Sequence, residues 1–332
     1  MKLFLSLSRP ERALALAVLI TGLGACGGGG GGGGGSLRAS PAVINAGNSA
    51  TITQEVIGVG LGAGEFGDAI GGGGILAADG GSNALALGRV RPRTTIQKVQ
   101  PRARFGPEVS ACRVSGSLVL SGSLSSNSTV TPGDRIDVEA NSCDDGDGAI
   151  YDGGFGIAVT RFSGDILTDQ YLLGADLTLT NFGITEAGVT TTADGVVEFE
   201  LDLRVPLVGD TSVDGALLEF RSGSDAWILR DFAVSLTEDG RGANLLTRSS
   251  GTGTLEGSGF SGAVDFVTVV PFVATGNDYP ASGEALITGA SGATIRATAI
   301  DAVTLQLAID LDGDSVVDET QQIPWSSVGG PG

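Results

Sequence analysis

The chain has 332 residues, with 19 Lys and Arg against 38 Asp and Glu, a formal net charge of −19 and no histidine. So acidic a chain argues against nucleic acid as a partner, because binding there rests on neutralising phosphates. The missing histidine excludes Ser-His-Asp and Cys-His catalysis, histidine zinc sites and histidine-ligated haem. Any catalysis would fall to carboxylates, Ser, Tyr, Arg or a bound cation.

Residues 1–25 read as a secretory signal. Lys2, Arg9 and Arg12 form a positive start, and residues 13–20 form an apolar core too short to span a membrane. Leu23-Gly24-Ala25-Cys26 follows at once, and then nine glycines, Gly27 to Gly35. These four residues resemble the lipobox of bacterial lipoproteins. The resemblance implies cleavage before Cys26 and acylation of its thiol, as a diacylglycerol thioether, and of its new amine, for example by palmitate. Gly27, standing where an aspartate would favour the inner membrane, implies the outer membrane, facing the periplasm or the cell surface. Several acyl chains hold stably where one holds weakly, at about 0.8 kcal/mol per buried methylene. Loss of three basic residues and one acidic residue with the signal would take the net charge from −19 to −21.

Residues 26–108 are expected to be a tether. The glycine run favours neither helix nor strand. Further glycines at 58–64 and 71–74 interrupt any periodic pattern, although a short helix within 51–78 is compatible with the apolar residues there. Arg89, Arg91, Arg93, Lys98, Arg102 and Arg104 then form the basic patch of an otherwise acidic chain. Pro92, Pro101 and Pro107 suit an extended linker. The patch is expected to be a solvated linker or a contact for anionic lipid, lipopolysaccharide or the acidic body of the protein itself.

From about residue 109 the texture changes. In 198–205, Glu198-Phe199-Glu200-Leu201-Asp202-Leu203-Arg204-Val205, charged and apolar residues alternate without a slip, which predicts a strand with one buried face. Similar runs occupy 134–139, 176–182, 217–221, 294–300 and 302–311, with less regular ones at 113–121, 155–161, 227–236, 263–272 and 284–288. Pro132-Gly133, Asp194-Gly195, Asp214-Gly215 and Asp239-Gly240 read as the turns between strands. The prediction for 109–328 is one all-β domain of about eleven to thirteen strands in an antiparallel meander. It would be curled into a barrel or half-barrel, or split into a sandwich, with 329–332 a flexible end.

With Cys26 assigned to lipid, Cys112 and Cys143 remain, and an oxidising compartment makes them a disulfide candidate. The sharpest constellation is Asp310-Leu311-Asp312-Gly313-Asp314-Ser315-Val316-Val317-Asp318. It resembles the calcium loops of EF-hand and dockerin-like repeats. The resemblance implies Asp310, Asp312, Asp314 and Asp318 as oxygen ligands, with Ser315 in place of the usual glycine and Gln321 in place of the closing glutamate. Calcium here would bind weakly, at about 10⁻⁴–10⁻³ M. Asp144-Asp145-Gly146-Asp147-Gly148 reads as a polar turn beside Cys143. Tyr171, Tyr279, Trp227 and Trp325 are too scattered for a stacking platform and read as core or rim aromatics.

Cys112 to Ser117, the Gly133-Asp134 turn leading to Cys143, and the Asp-rich turn followed by Trp325 together resemble uncharacterised proteobacterial lipoproteins, which supports the architecture without implying an activity. The expected function is a structural or binding module of the envelope, partnered by the membrane through its lipid and by an envelope protein, lipid or polysaccharide. The alternatives are a carrier with a hydrophobic ligand in a curled-sheet pocket, and a carboxylate-dependent hydrolase.

Overall fold

Alternation of apolar and polar side chains yields fourteen strands among the described residues. The structure, a computed structural model, describes residues 39–61, 103–125, 130–146, 148–165, 170–186, 188–276 and 278–328. The signal, Cys26 with its glycine run, and Arg89, Arg91, Arg93, Lys98 and Arg102 lie outside these residues. The first seven strands are β1 Ala103–Ala111, β2 Ser115–Leu124, β3 Arg135–Asp144, β4 Ala149–Asp165, β5 Gln170–Glu186, β6 Val189–Asp202 and β7 Val208–Ser222. They are followed by β8 Asp225–Asp239, β9 Leu246–Gly257, β10 Ala263–Thr275, β11 Ser282–Thr288, β12 Thr294–Ala299, β13 Thr304–Asp310 and β14 Glu319–Pro324. All pair antiparallel in simple chain order, so β1 and β14 are the two edges of one open sheet. The all-β meander is as expected, and closure into a barrel does not occur.

Cross-strand rows build the core. Leu173, Ala175 and Leu177 of β5 face Leu201, Phe199 and Val197 of β6, and Ile287, Ile295 and Ile309 align across β11, β12 and β13. All of these are buried in one continuous cluster. A flat sheet would leave this face wet. Its burial, with one seven-residue α-helix to cover it among the described residues, requires the sheet to curl around its own apolar face.

That helix comes from the region expected to be tether. Pro41 bridges Ala263, and Ala42 N–H donates to Ala263 O at 2.7 Å. A turn at Asn45–Asn48 then leads into α1, Ser49–Glu55, which continues as a π-helical stretch, Val56–Leu61. Ala42, Ile44, Ile52, Val56 and Ile57 enter the same core as the strands. Gln321 of β14 ties down the start of α1: Ser49 Oγ donates to Gln321 Oε1 at 3.2 Å, and Gln321 Nε2 to Ala46 O at 2.9 Å. For residues 39–61 the tether reading is therefore corrected. Ser-Ala-Thr-Ile-Thr is a poor helix former in isolation, and packing on the concave face stabilises it. The strands also begin six residues before the expected boundary, with Arg104 exposed on the edge strand β1.

Asp194-Gly195 and Asp214-Gly215, expected as turns, lie inside β6 and β7. Both glycines are points of close approach. A side chain at Gly215 would meet the Phe232 ring, and Gly195, at φ +146°, stands against Leu217 and Leu218. Asp239-Gly240 does end a strand, as expected. At the far end, Trp325 packs edge-on to Phe272 and stacks on Tyr279, while its indole N–H donates to Asp301 O at 3.2 Å.

Cys112 and Cys143 form the disulfide, with Cα atoms 5.5 Å apart and a sequence separation of 31. It ties the β1–β2 corner to the end of β3. The adjoining Asp144–Gly146 turn is held by Arg113, whose backbone N–H donates to Asp145 Oδ1 at 2.8 Å and whose guanidinium donates to Asp145 O at 2.6 Å. Replacing both cysteines with serine is expected to lower the unfolding free energy by about 3–4 kcal/mol, read from urea denaturation. An unchanged midpoint would remove the bond from the account of stability.

Candidate functional site

The sheet is interrupted once between β9 and β10. The two strands pair at Val264–Leu255 and resume at Phe272–Ser249, with two more residues on the β10 side of the gap than on the β9 side. The sequence explains why they part. β9 there reads Gly251-Thr252-Gly253-Thr254, with little side chain to hold a partner, while β10 carries the β-branched run Val267-Thr268-Val269-Val270. Thr268 Oγ1 accepts the Gly251 N–H at 2.9 Å, so a side chain serves where a ladder bond would be. Two register shifts on the β11 side absorb the excess length of β10.

On the outer face the gap opens into a cleft of about 300 Å³. Its polar lining is Asp231, Thr252, Thr254, Asp265 and Thr288, and its apolar lining includes Val267 and Leu286. Asp231 reaches it from a bulge in β8, where its backbone takes a left-handed φ of 45°. Thr254 Oγ1 donates to Asp265 Oδ1 at 2.5 Å. Gly253 belongs to the floor, where a side chain would run into Phe232 and Phe266. The lining contains carboxylates and hydroxyls and no cationic side chain. It therefore offers hydrogen-bond acceptors and switchable hydroxyls beside a small apolar surface, an arrangement unsuited to an anion.

The acidic turn after β13 is partly as expected. Carboxylate oxygens of Asp310, Asp312 and Asp314 lie within 4.8 Å of one another, so a hard cation would find three converging ligands. Asp318 is placed differently. Its Oδ2 accepts the Leu311 N–H at 2.7 Å and closes the base of the loop. Asp310 is buried, and its two oxygens accept Gly313 N–H at 2.7 Å and Ser315 N–H at 2.8 Å. The turn is thus held by its own backbone, with Asp312 and Asp314 exposed at the rim.

Sequence reasoning missed Glu55, at the end of α1. Its side chain is buried between Trp227 and the backbone of Gly257 and Gly259, where any added side chain would occupy the space of the carboxylate. Oε1 accepts the Gly259 N–H at 2.8 Å, while Oε2 and the Trp227 indole N–H are both left without a hydrogen bond. Burial pushes the Glu55 carboxyl up to about 7; the Gly259 hydrogen bond and the nearby polar edge of the Trp227 indole oppose this, and Asp225 adds to it. A single Glu in a chain of 38 acids carries no sequence mark, and only its placement on the concave face distinguishes it. Enclosed as it is, it does not form the cleft-borne carboxylate pair that a hydrolase needs.

Comparison with protein-family models, curated proteins and solved structures gave no match. Among the described residues no helix is long and apolar enough to cross a membrane.

Two outcomes follow for the acidic turn. Asp310→Ala leaves two backbone N–H groups unpaired and is expected to cost about 1–3 kcal/mol, with or without chelator, in denaturant titration. Millimolar calcium is expected to raise the melting temperature by a few degrees at most for sub-millimolar to millimolar affinity. Asp312→Ala, which spares the hydrogen-bonded base of the loop, should abolish that gain. A melting curve indifferent to calcium would leave the turn purely hydrogen-bonded.

Proposed function

We propose that this protein is a lipid-anchored, non-enzymatic binding module of the bacterial outer membrane, and that the β9–β10 cleft takes a hydroxyl-rich neutral ligand such as one unit of an envelope polysaccharide. The cleft is the observation that carries the reading. A sugar ring presents hydroxyls around its edge and C–H groups on its face. Asp231 and Asp265 can accept from ligand hydroxyls through oxygens that carry several lone pairs, Thr252 and Thr288 can donate or accept, and Val267 and Leu286 supply an apolar contact. A volume of about 300 Å³ suits one or two sugar units at the small end of ligand sites.

The anchor rests on Leu23-Gly24-Ala25-Cys26. Twelve residues, 27–38, separate Cys26 from the first described residue. Whatever their conformation, they cannot span more than about 45 Å. A domain so closely leashed would present its outer face to polymers next to the bilayer. The carrier alternative needs an open apolar concavity; here α1 and the β5 and β6 side chains occupy the concave face.

Binding is tested by probing the full chain, in detergent, against an array of bacterial cell-wall and lipopolysaccharide glycans. Asp231→Asn with Asp265→Asn is expected to weaken the best hit at least tenfold, each lost charge-assisted hydrogen bond being worth about 1.5–3 kcal/mol. Unaltered affinity in the double variant, or no glycan bound, would count against the cleft. Intact-mass measurement of membrane-extracted protein tests the anchor: the expected species begins at an acylated Cys26, and an unmodified Cys26 ends that part of the proposal.

A further inference from the structure

We propose that residues 39–61 form a proton-controlled plug, in which Glu55 holds α1 in the concave face while protonated and loosens it on ionisation. The geometry is specific. Gly257 and Gly259 leave room for the carboxyl and for nothing larger, the residue is buried, and Oε2 is withdrawn from water. In the neutral form Oε1 takes the Gly259 N–H and no net charge is buried. In the ionised form a full charge sits in the core with one backbone hydrogen bond and the Trp227 indole close by. Among the described residues no arginine answers it. On β9, Glu256 is already paired with Arg230 at 2.9 Å, and both side chains are mostly covered. On β12, Arg296 pairs with Glu284. On β13, Asp310 is occupied by the Gly313 and Ser315 N–H groups. On β14, Glu319 accepts from Gln321 at 3.0 Å. The charge that acts on Glu55 is Asp225 at the start of β8, and it is repulsive.

The sign follows from linkage. The docked carboxyl titrates near 7, against an ordinary value of 4.5 for the released side chain. Docking therefore takes up a proton between these values, is tightest below pH 4.5, and weakens as pH rises until it levels off above 7. Between pH 5.5 and 8.5 the opening equilibrium of the segment should rise on the order of 30-fold. The proposal depends neither on the lipid anchor nor on the cleft.

The test is amide hydrogen exchange of the full chain in detergent, with rates corrected for intrinsic exchange. Residues 49–57 are followed from pH 5.5 to 8.5, with β5 and β6 as the reference. In the wild type the segment's protection should fall about 30-fold while the reference strands hold, and Trp227 emission should change with the same midpoint. Glu55→Gln, which keeps the shape and cannot ionise, should make protection of 49–57 flat with pH. Should that variant fail to fold, Asp225→Asn serves instead. It removes the repulsive neighbour and should move the wild-type midpoint to lower pH. Protection that does not vary with pH in the wild type, a Glu55→Gln protein that keeps the wild-type profile, or an Asp225→Asn midpoint that stays put would each overturn the proposal.

Discussion

An open sheet that curls has an apolar concave face and two unpaired edges, and something must fill the first. In this protein the filling comes largely from the strands themselves and, towards β8–β14, from the segment containing α1. Ile44, Ile52, Val56 and Ile57 each remove a side chain from water, worth about 1.5–3 kcal/mol apiece when fully buried. The concave surface they cover is made by Trp227, Gly257 and the inward row of β12–β14. Helix and sheet therefore depend on each other: α1 is too short and too β-branched to persist alone, and this part of the sheet would be wet without it.

The same dependence accounts for the chemistry at Glu55. A helix that enters a curled sheet must bring some of its polar side chains with it. Ser49 and Thr53 are satisfied inside, Thr53 Oγ1 donating to the Ser49 carbonyl at 2.8 Å and Ser49 to Gln321. Glu55 is satisfied at one oxygen only. The outer face follows the opposite logic. There acidic and Arg side chains pair at the surface, as in Arg161 with Glu200 at 2.8 Å, where solvent makes such bridges worth little. The β9–β10 cleft differs from the rest of that face because the backbone pairing itself is interrupted.

Much of this was legible in the sequence. The unbroken alternation at 198–205 named the second half of β6, and charge alternation at 134–139 named the first half of β3, because a half-buried strand imposes a period of two on its residues. Three strands gave no such mark. β1 is an edge with both faces largely exposed and Pro107 within it, β14 is dominated by Gln and Thr, and β9 has glycines where inward residues would be. Asp-Gly pairs misled at 194 and 214 because glycine serves two needs, a left-handed turn and room for a neighbour, and sequence does not separate them. α1 was hidden for another reason. Seven residues hold less than two full periods, and long-range packing made the helix. The acidic turn was readable because its ligands are neighbours in the chain, whereas the cleft draws on β8, β9, β10 and β11 and exists through a register that no local pattern encodes.

The hydrogen bond between Ser49 and Gln321 joins residues 272 apart in a chain of 332. The segment that completes the concave face is thus the first described part of the chain to be synthesised, and its partner in β14 comes after every other strand. Long-range closure of this kind is slow, because chain entropy must be surrendered before the contacts that reward it can form. It also sets an order: strands β2 to β8 can zip up by successive hairpins as they emerge, while the N-terminal segment waits until β14 is in place.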